Sequence, residues 1–294
     1  MNMLNQSIIN YFIILQQCKF NREKAALFYY KYEKVLNKPF LECIFEFDIE
    51  DKYILDNYTD EVQKNAESVL DEKKNGKILF FKDKEYNLAK YNKRKTMLPP
   101  VLFYKGNIKL LEEKSISVVG TRNPTELGKY NTKRISEILI KNEITIVSGL
   151  AKGIDKIAHD TARKREYRKL IGVIGTPLSK FYPKENIDLQ EYIISNGLLI
   201  SEFASFEITT KISFLRRNYI MSCISRATIV VEAGDTSGSI NQAKHTLKNG
   251  KKLFIPHNVF KNPNNTWPKK YMEQFDLIFE FYSIEELLKL LSEV

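Results

Sequence analysis

The chain is poor in the residues that most often announce a site. It has three cysteines (Cys18, Cys43 and Cys223) in 294 residues, an odd number and widely scattered. That excludes a disulfide framework and a cysteine metal centre, and it fits a reducing cytoplasm. The three histidines, His159, His245 and His257, offer no metal-ligand spacing either. Glycine is scarce at 12 residues, and none precedes Gly76. The glycine-bearing hairpin of helix–hairpin–helix DNA binding is therefore absent from the start of the chain. No apolar run reaches the ~18 residues that cross a bilayer. The opening Met-Asn-Met-Leu-Asn-Gln lacks the basic n-region of a secretory leader. A cytoplasmic protein without membrane contact is expected. Also missing are the dinucleotide pattern G-x-G-x-x-G, the P-loop and the nucleophile elbow G-x-S-x-G, so no cofactor is expected.

What is present is a globular composition, 43% hydrophobic and 28% charged, with a formal net charge of +10. Residues 1–100 hold 17 Lys and Arg against 15 Asp and Glu, and the remainder 29 against 21. The basic excess thus sits in the later part. It favours a polyanionic partner, unless the lysines only solvate the surface.

Residues 1–76 read as a small helical module. Ile8, Phe12 and Leu15 recur at helical spacing, as do Ala25, Phe28 and Tyr32. A further helix is predicted over Glu61–Lys74, stopped by Gly76. The aromatics here lie on apolar faces and are read as core. Residues 77–114 read as a connector with short strands at Lys77–Phe81 and Val101–Tyr104. Its basic cluster Lys90, Lys93, Arg94 and Lys95 is read as a solvated loop.

From Ser115 onward apolar strands alternate with helices, through Ile144–Ser148, Leu170–Ile174, Leu198–Ser201, Thr228–Glu232, Lys252–Ile255 and Leu277–Glu280. The expected fold is α/β: an extended Rossmann-like, doubly wound, mostly parallel sheet over residues 77–282. The helical module precedes it, and a C-terminal helix over 283–294 follows, opened by the capping box Ser283/Glu286.

In such sheets ligands bind beyond the carboxyl ends of the strands. Those ends carry Gly120-Thr121-Arg122, Ser148-Gly149, Gly175-Thr176 and Ala233 to Ser239. Small residues allow close approach, and hydroxyls can bond phosphate or sugar. The strand Ser115–Val119, the Gly120 turn and the helix near Thr125 place a helix N-terminus beside Arg122, which suits a phosphate. An ordinary first turn with a surface arginine stays open as the alternative. Lys152, Lys184, Arg216 and Arg217 make the rim basic. Adjacent helical residues diverge by ~100°, so only one of Arg216 and Arg217 need face the rim. Tyr182 next to Lys184 is either a base-stacking platform or a packed loop aromatic. Asp155 and His159, at i and i+4, read as a packed pair before a base with its orienter. Glu202 and Glu232 end strands without a nucleophile beside them. No catalytic residue is assigned.

Several of these segments together resemble the DprA/Smf DNA-processing proteins. They are Val119–Pro124, Ile146–Asp155, Tyr182–Asn186, Ser201–Phe203, Phe214–Asn218 and Val231–Ala233 with Ser237–Ser239, matching in order across residues 77–256. The resemblance implies a non-enzymatic single-stranded DNA-binding protein, dimeric, that protects DNA and loads RecA in natural transformation. It makes Arg122 the leading phosphate ligand, with Lys152, Lys184, Arg216 and Arg217 in the same pocket. Gly120, Thr121, Ser148, Gly149, Tyr182, Asn186, Asn218, Ser237, Gly238 and Ser239 complete the implied interface. Affinity would fall steeply with salt, with weak sequence preference. Thr121 stands where many members have Ser, and His257 where Gly is usual. A chain ending at Val294 leaves no room for the winged-helix domain many members carry. The alternative is a small-nucleotide sensor, or an enzyme like the nucleotide phosphoribohydrolases, on the same sheet.

Overall fold

The structure, a computed structural model, describes residues 3–74, 76–86, 88, 92–93 and 98–294. Of the basic connector cluster, Lys90, Arg94 and Lys95 lie outside the described residues. The chain opens with α1 (Met3–Gln17), α2 (Arg22–Lys31), α3 (Phe40–Cys43) and α4 (Asp60–Ser68). Asn21 opens α2 by accepting from the Lys24 N–H at 3.1 Å, and Thr59 opens α4 in the same way at 3.3 Å. The helix predicted over Glu61–Lys74 is α-helical only to Ser68, and Val69–Lys74 continues as a tighter 3₁₀ turn.

Next come β1 (Lys77–Phe80), β2 (Val101–Gly106), β3 (Ser115–Gly120), α5 (Glu126–Lys141), β4 (Thr145–Ser148), α6 (Ile154–Lys164) and β5 (Leu170–Ile174). They are followed by α7 (Ile187–Asn196), β6 (Leu198–Ser201), α8 (Lys211–Ile224), β7 (Ala227–Glu232), α9 (Gly238–Lys248) and β8 (Lys252–Pro256). The chain closes with α10 (His257–Lys261), α11 (Trp267–Met272), β9 (Ile278–Phe281) and α12 (Ile284–Ser292). Helices α10 and α11 carry no strong sequence period and are additions to the sequence reading.

One sheet takes all nine described strands in the order β1-β2-β6-β5-β4-β3-β7-β8-β9. β1 and β2 pair antiparallel, β2 and β6 also, and every other pair is parallel. The doubly wound, mostly parallel sheet is as expected. The connector strands, however, extend it at one edge.

Alternation along the strands divides the core. Ile116, Val118, Ile146, Leu170 and Ile229 face one layer with Leu139, Ala158 and Ile193 of α5, α6 and α7. Val119, Val147, Ile171, Val173 and Val230 face the other with Ile220, Ala243 and Leu247 of α8 and α9. Each fully buried apolar side chain of this kind contributes roughly 1.5–3 kcal/mol. Helix α1 joins the first layer, with the Phe12 ring 5.9 Å from that of Phe103 on β2. No helix among the described residues is long and apolar enough to cross a membrane.

Candidate nucleic-acid interface

Strand order reverses at β3, which has β4 on one side and β7 on the other. A crevice opens at the carboxyl ends around such a switch point. There the Thr121 N–H donates to the Glu232 carbonyl at 2.7 Å, and the Thr121 carbonyl accepts from the Ile154 N–H at 3.2 Å. Gly153, at φ +76°, brings the start of α6 so close that a Cβ would stand 2.4 Å from the Thr121 carbonyl oxygen. These contacts fix the backbone on both sides of Arg122. Its side chain is exposed and has no hydrogen bond or ion pair among the described residues. It lines both a cavity of about 660 Å³ and an adjoining one of about 50 Å³.

The helix N-terminus beside Arg122 is not open to a phosphate, which corrects the sequence reading. Glu232 already occupies it. Its carboxylate accepts from the Thr125 N–H at 3.2 Å and from Thr125 Oγ1 at 2.9 Å. An anion there would meet this carboxylate. The N-terminus of α9 is different. Ser237 caps it, Ser237 and Ser239 share a hydroxyl hydrogen bond of 2.6 Å, and its first turn holds no acidic residue. A Cβ on Gly238 would meet nothing within 4 Å. Ser237, Gly238 and Ser239 all line the larger cavity. The neighbouring Asp235 turns away to cap α11, accepting from Thr266 Oγ1 at 2.6 Å and the Trp267 N–H at 3.1 Å. Those bonds hold its carboxyl below the usual range.

Tyr182 is 49% exposed, and its ring lies 5.3 Å from Phe214, tilted by 42°. Both rings line both cavities. Lys152 lines the smaller cavity and pairs with Glu185 at 2.5 Å. Lys184 is exposed on the next turn but lines neither cavity.

Other expected ligands are spent on the scaffold. Ser148 is buried and donates to the Val118 carbonyl at 2.7 Å. Asn186 is buried and donates to the Leu150 carbonyl at 2.8 Å, steadying a residue at φ +56°. Asn218 accepts from Arg217 Nε at 3.0 Å and donates to the Gly238 carbonyl at 3.1 Å. Arg217 is buried at the rim and donates from Nη1 to the carbonyls of Gly149 and Val173. Burial lowers its pKa, and the nearby Asp155 raises it. Arg216 leaves the rim altogether. It grips Glu202 bidentately at 2.7 and 2.8 Å and lines a different cavity.

His159 is wholly buried, and burial pulls its pKa down to about 4. Asp155 accepts from the Gly149 N–H at 3.1 Å. Among the described residues no group of three or more His, Cys, Asp and Glu is placed to hold a metal. Sequence reasoning left out Lys211, which is exposed at the first turn of α8 and lines the larger cavity. Its signal was present, a lysine at the start of the helix that carries Phe214.

The strand order defines a Rossmann-like protein with a crevice at the carboxyl end of the sheet. A family model for DNA recombination-mediator protein A matches residues 77–288, and the chain belongs to that family. It is 41% identical to the DNA processing protein DprA of Streptococcus pneumoniae over 162 residues, 55% of this chain and 57% of that one. It is 36% identical to the Bacillus subtilis DprA over 178 residues, 60% and 59% of the two chains. The aligned stretch therefore spans less than two thirds of these curated relatives. The X-ray structure of the S. pneumoniae DprA superposes with a TM-score of 0.67 at 26% identity, covering 98% of this chain and 95% of that one. A structure of Helicobacter pylori DNA processing protein A, described for its single-stranded DNA binding mode, gives 0.63 at 28% identity, covering 74% and 95%.

Proposed function

We propose that the chain binds single-stranded DNA in the switch-point crevice and acts in DNA processing during natural transformation and recombination. The observation that carries this is Arg122, a permanently charged, exposed side chain without an ion-pair partner among the described residues, held on a fixed backbone between two cavities. The tilted Tyr182 and Phe214 beside it supply faces for bases, and Lys211 and Lys152 supply further charge. The H. pylori relative, described for single-stranded DNA binding, supports the same reading. Within it, Gly120, Thr121, Gly149, Ser237, Gly238 and Ser239 shape the crevice, and Ser148, Asn186, Asn218 and Arg217 hold it. The role is non-enzymatic and cytoplasmic, with a homodimer as the working unit and RecA as its protein partner. The module over 1–76 and the sheet over 77–282 are two domains that work together, joined where α1 packs on β2.

A second reading, a small-nucleotide sensor or hydrolase, is favoured by one feature, the α9 N-terminus facing a 660 Å³ cavity. Anisotropy of a labelled single-stranded oligonucleotide over a salt series decides between them, with duplex and nucleoside monophosphate as competitors. DNA binding predicts tight, salt-sensitive association that only the single strand displaces. Displacement by micromolar mononucleotide would transfer the site to the second reading.

A further inference from the structure

A third cavity, of about 760 Å³, lies on the opposite flank of α8. The α1–α2 turn, with Phe20 and Arg22, forms one wall together with Phe206, whose ring lies 6.5 Å from that of Phe20. Ile212, Tyr219 and Asn241 stand on the other. Its charges are balanced. Arg22 pairs with Glu207, Arg216 pairs with Glu202, and all four are largely buried. Arg22 lies over the Phe203 ring at 4.4 Å and Arg216 over Tyr219 at 4.5 Å. Polar side chains line it as well, among them Asn21, Asn65, Thr210 and Asn241. The lip is apolar, with Ile208 84%, Ile212 74% and Phe20 48% exposed.

This cavity adjoins the DNA crevice. Leu215 lines both, and Lys211, one residue before Ile212, lines the crevice side. Only the first turns of α8 separate them. Lys19 on the far lip and Lys211 on the ridge are exposed and without an ion-pair partner among the described residues.

We propose that this cavity receives a nucleobase of the same single strand that lies in the crevice. A base has apolar faces for the aromatic walls, and a rim of donors and acceptors for polar lining side chains such as Asn65 and Thr210. The neutral floor gives a phosphate no reason to enter. Lys211 and Lys19 meet the phosphates on either side of the inserted base. The helical module thereby becomes part of the DNA site and lengthens its footprint. The proposal rests on the crevice reading above, and its test separates the two.

The test is photo-crosslinking of the full chain with oligothymidylates carrying 5-iodouracil at one position at a time, mapped by mass spectrometry. Some positions should crosslink to peptides containing Tyr182 or Phe214. Others, further along the strand, should crosslink to peptides containing Phe20, Phe206 or Tyr219. Phe20→Ala and Ile212→Ala change exposed side chains and should keep the parent melting temperature. Combined, they should weaken binding of the long oligonucleotide by about 5- to 100-fold. Crosslinks confined to the Tyr182 and Phe214 peptides, with unchanged affinity in the double variant, would overturn this inference and leave the crevice reading intact. Equal DNA binding by Arg122→Ala and the parent would remove the crevice reading and this inference with it.

Discussion

Arg122 and Arg217 line the same crevice, and the structure gives them opposite jobs. Arg217 is buried, and its guanidinium ties the Gly149 and Val173 carbonyls at the ends of β4 and β5. Replacing it with leucine leaves two buried carbonyls without a charged donor. It also leaves Asp155, already pushed up by burial, without the cation that pulls it back down. Losing hydrogen bonds from a charged donor costs about 1.5–3 kcal/mol each. Breaking a buried charged partnership typically costs about 3–5 kcal/mol in total. Leucine recovers some of that through apolar burial, so Arg217→Leu should lose about 3 kcal/mol. Arg122→Ala removes an exposed side chain with no partner among the described residues and should change stability by about 0.5 kcal/mol or less. In binding the order reverses. Arg122→Ala should weaken single-stranded DNA about 10- to 100-fold, the worth of one charge-assisted phosphate contact. Urea midpoints and oligonucleotide anisotropy on the same preparations measure both quantities. A parental urea midpoint for Arg217→Leu together with lost DNA affinity would refute the reasoning, because that guanidinium would then be a ligand.

Glu232→Ala removes the carboxylate that holds Thr125, the N-cap of α5, and should cost about 1–2 kcal/mol in a urea titration. Added sulfate should restore part of that loss, since the helix N-terminus would then be open to an anion, whereas the parent should gain less. Lys251 is buried and donates to the carbonyls of Ser222, Cys223 and Ser225 at 2.6, 2.8 and 2.6 Å, closing the end of α8. Lys251→Met should lower stability by about 3 kcal/mol in thermal melts, and an unchanged melt would show that water replaces those bonds without cost. His159 sets a pH dependence. Its folded pKa of about 4 lies below the usual 6.5, so the unfolded chain binds the proton first. Stability should therefore be unaffected by this group above pH 6.5 and fall by up to about 3 kcal/mol as pH drops toward 4. His159→Leu should flatten that part of the profile, and an equal slope in both proteins would assign it to other groups.

Much of the sheet was readable because parallel strands buried on both faces are short, continuous β-branched runs. Thr228 to Val231 shows this plainly, Ile116 to Val119 does so with Ser117 as its one exception, and both ends of these strands fall within a residue of the prediction. The edge was less readable. β1 and β2 read as a connector because a polar, basic stretch and Pro99-Pro100 separate them, and only the pairing of β1 with β2 and of β2 with β6 places them in the sheet. α10 and α11 escaped because tertiary contacts define them. Asp235 caps α11, and Trp267 Nε1 donates to the Ala233 carbonyl at 3.0 Å, partnerships between residues about thirty positions apart. The occupied N-terminus of α5 escaped for the same reason. Nothing local says that Glu232, over a hundred residues further on, delivers its carboxylate to Thr125.

The rim shows what a count of charges leaves out. Arg122, Lys152, Lys184, Arg216 and Arg217 look equivalent in the sequence, but burial sorts them. The divergence of adjacent helical residues sends Arg216 to Glu202 and Arg217 to the strand ends, and neither is exposed. The cations left at the surface are Arg122, Lys152, Lys184 and the unanticipated Lys211. If one strand engages all four, the slope of log affinity against log salt should be about −3, at about −0.7 for each phosphate neutralised. Alanine at any of these four should flatten the slope by about 0.7. Substitution at Arg216 or Arg217 should leave the slope where it is, even where it weakens binding by loosening the loops. A slope that changes with Arg217 but not with Arg122 would mean that burial misassigns the two arginines.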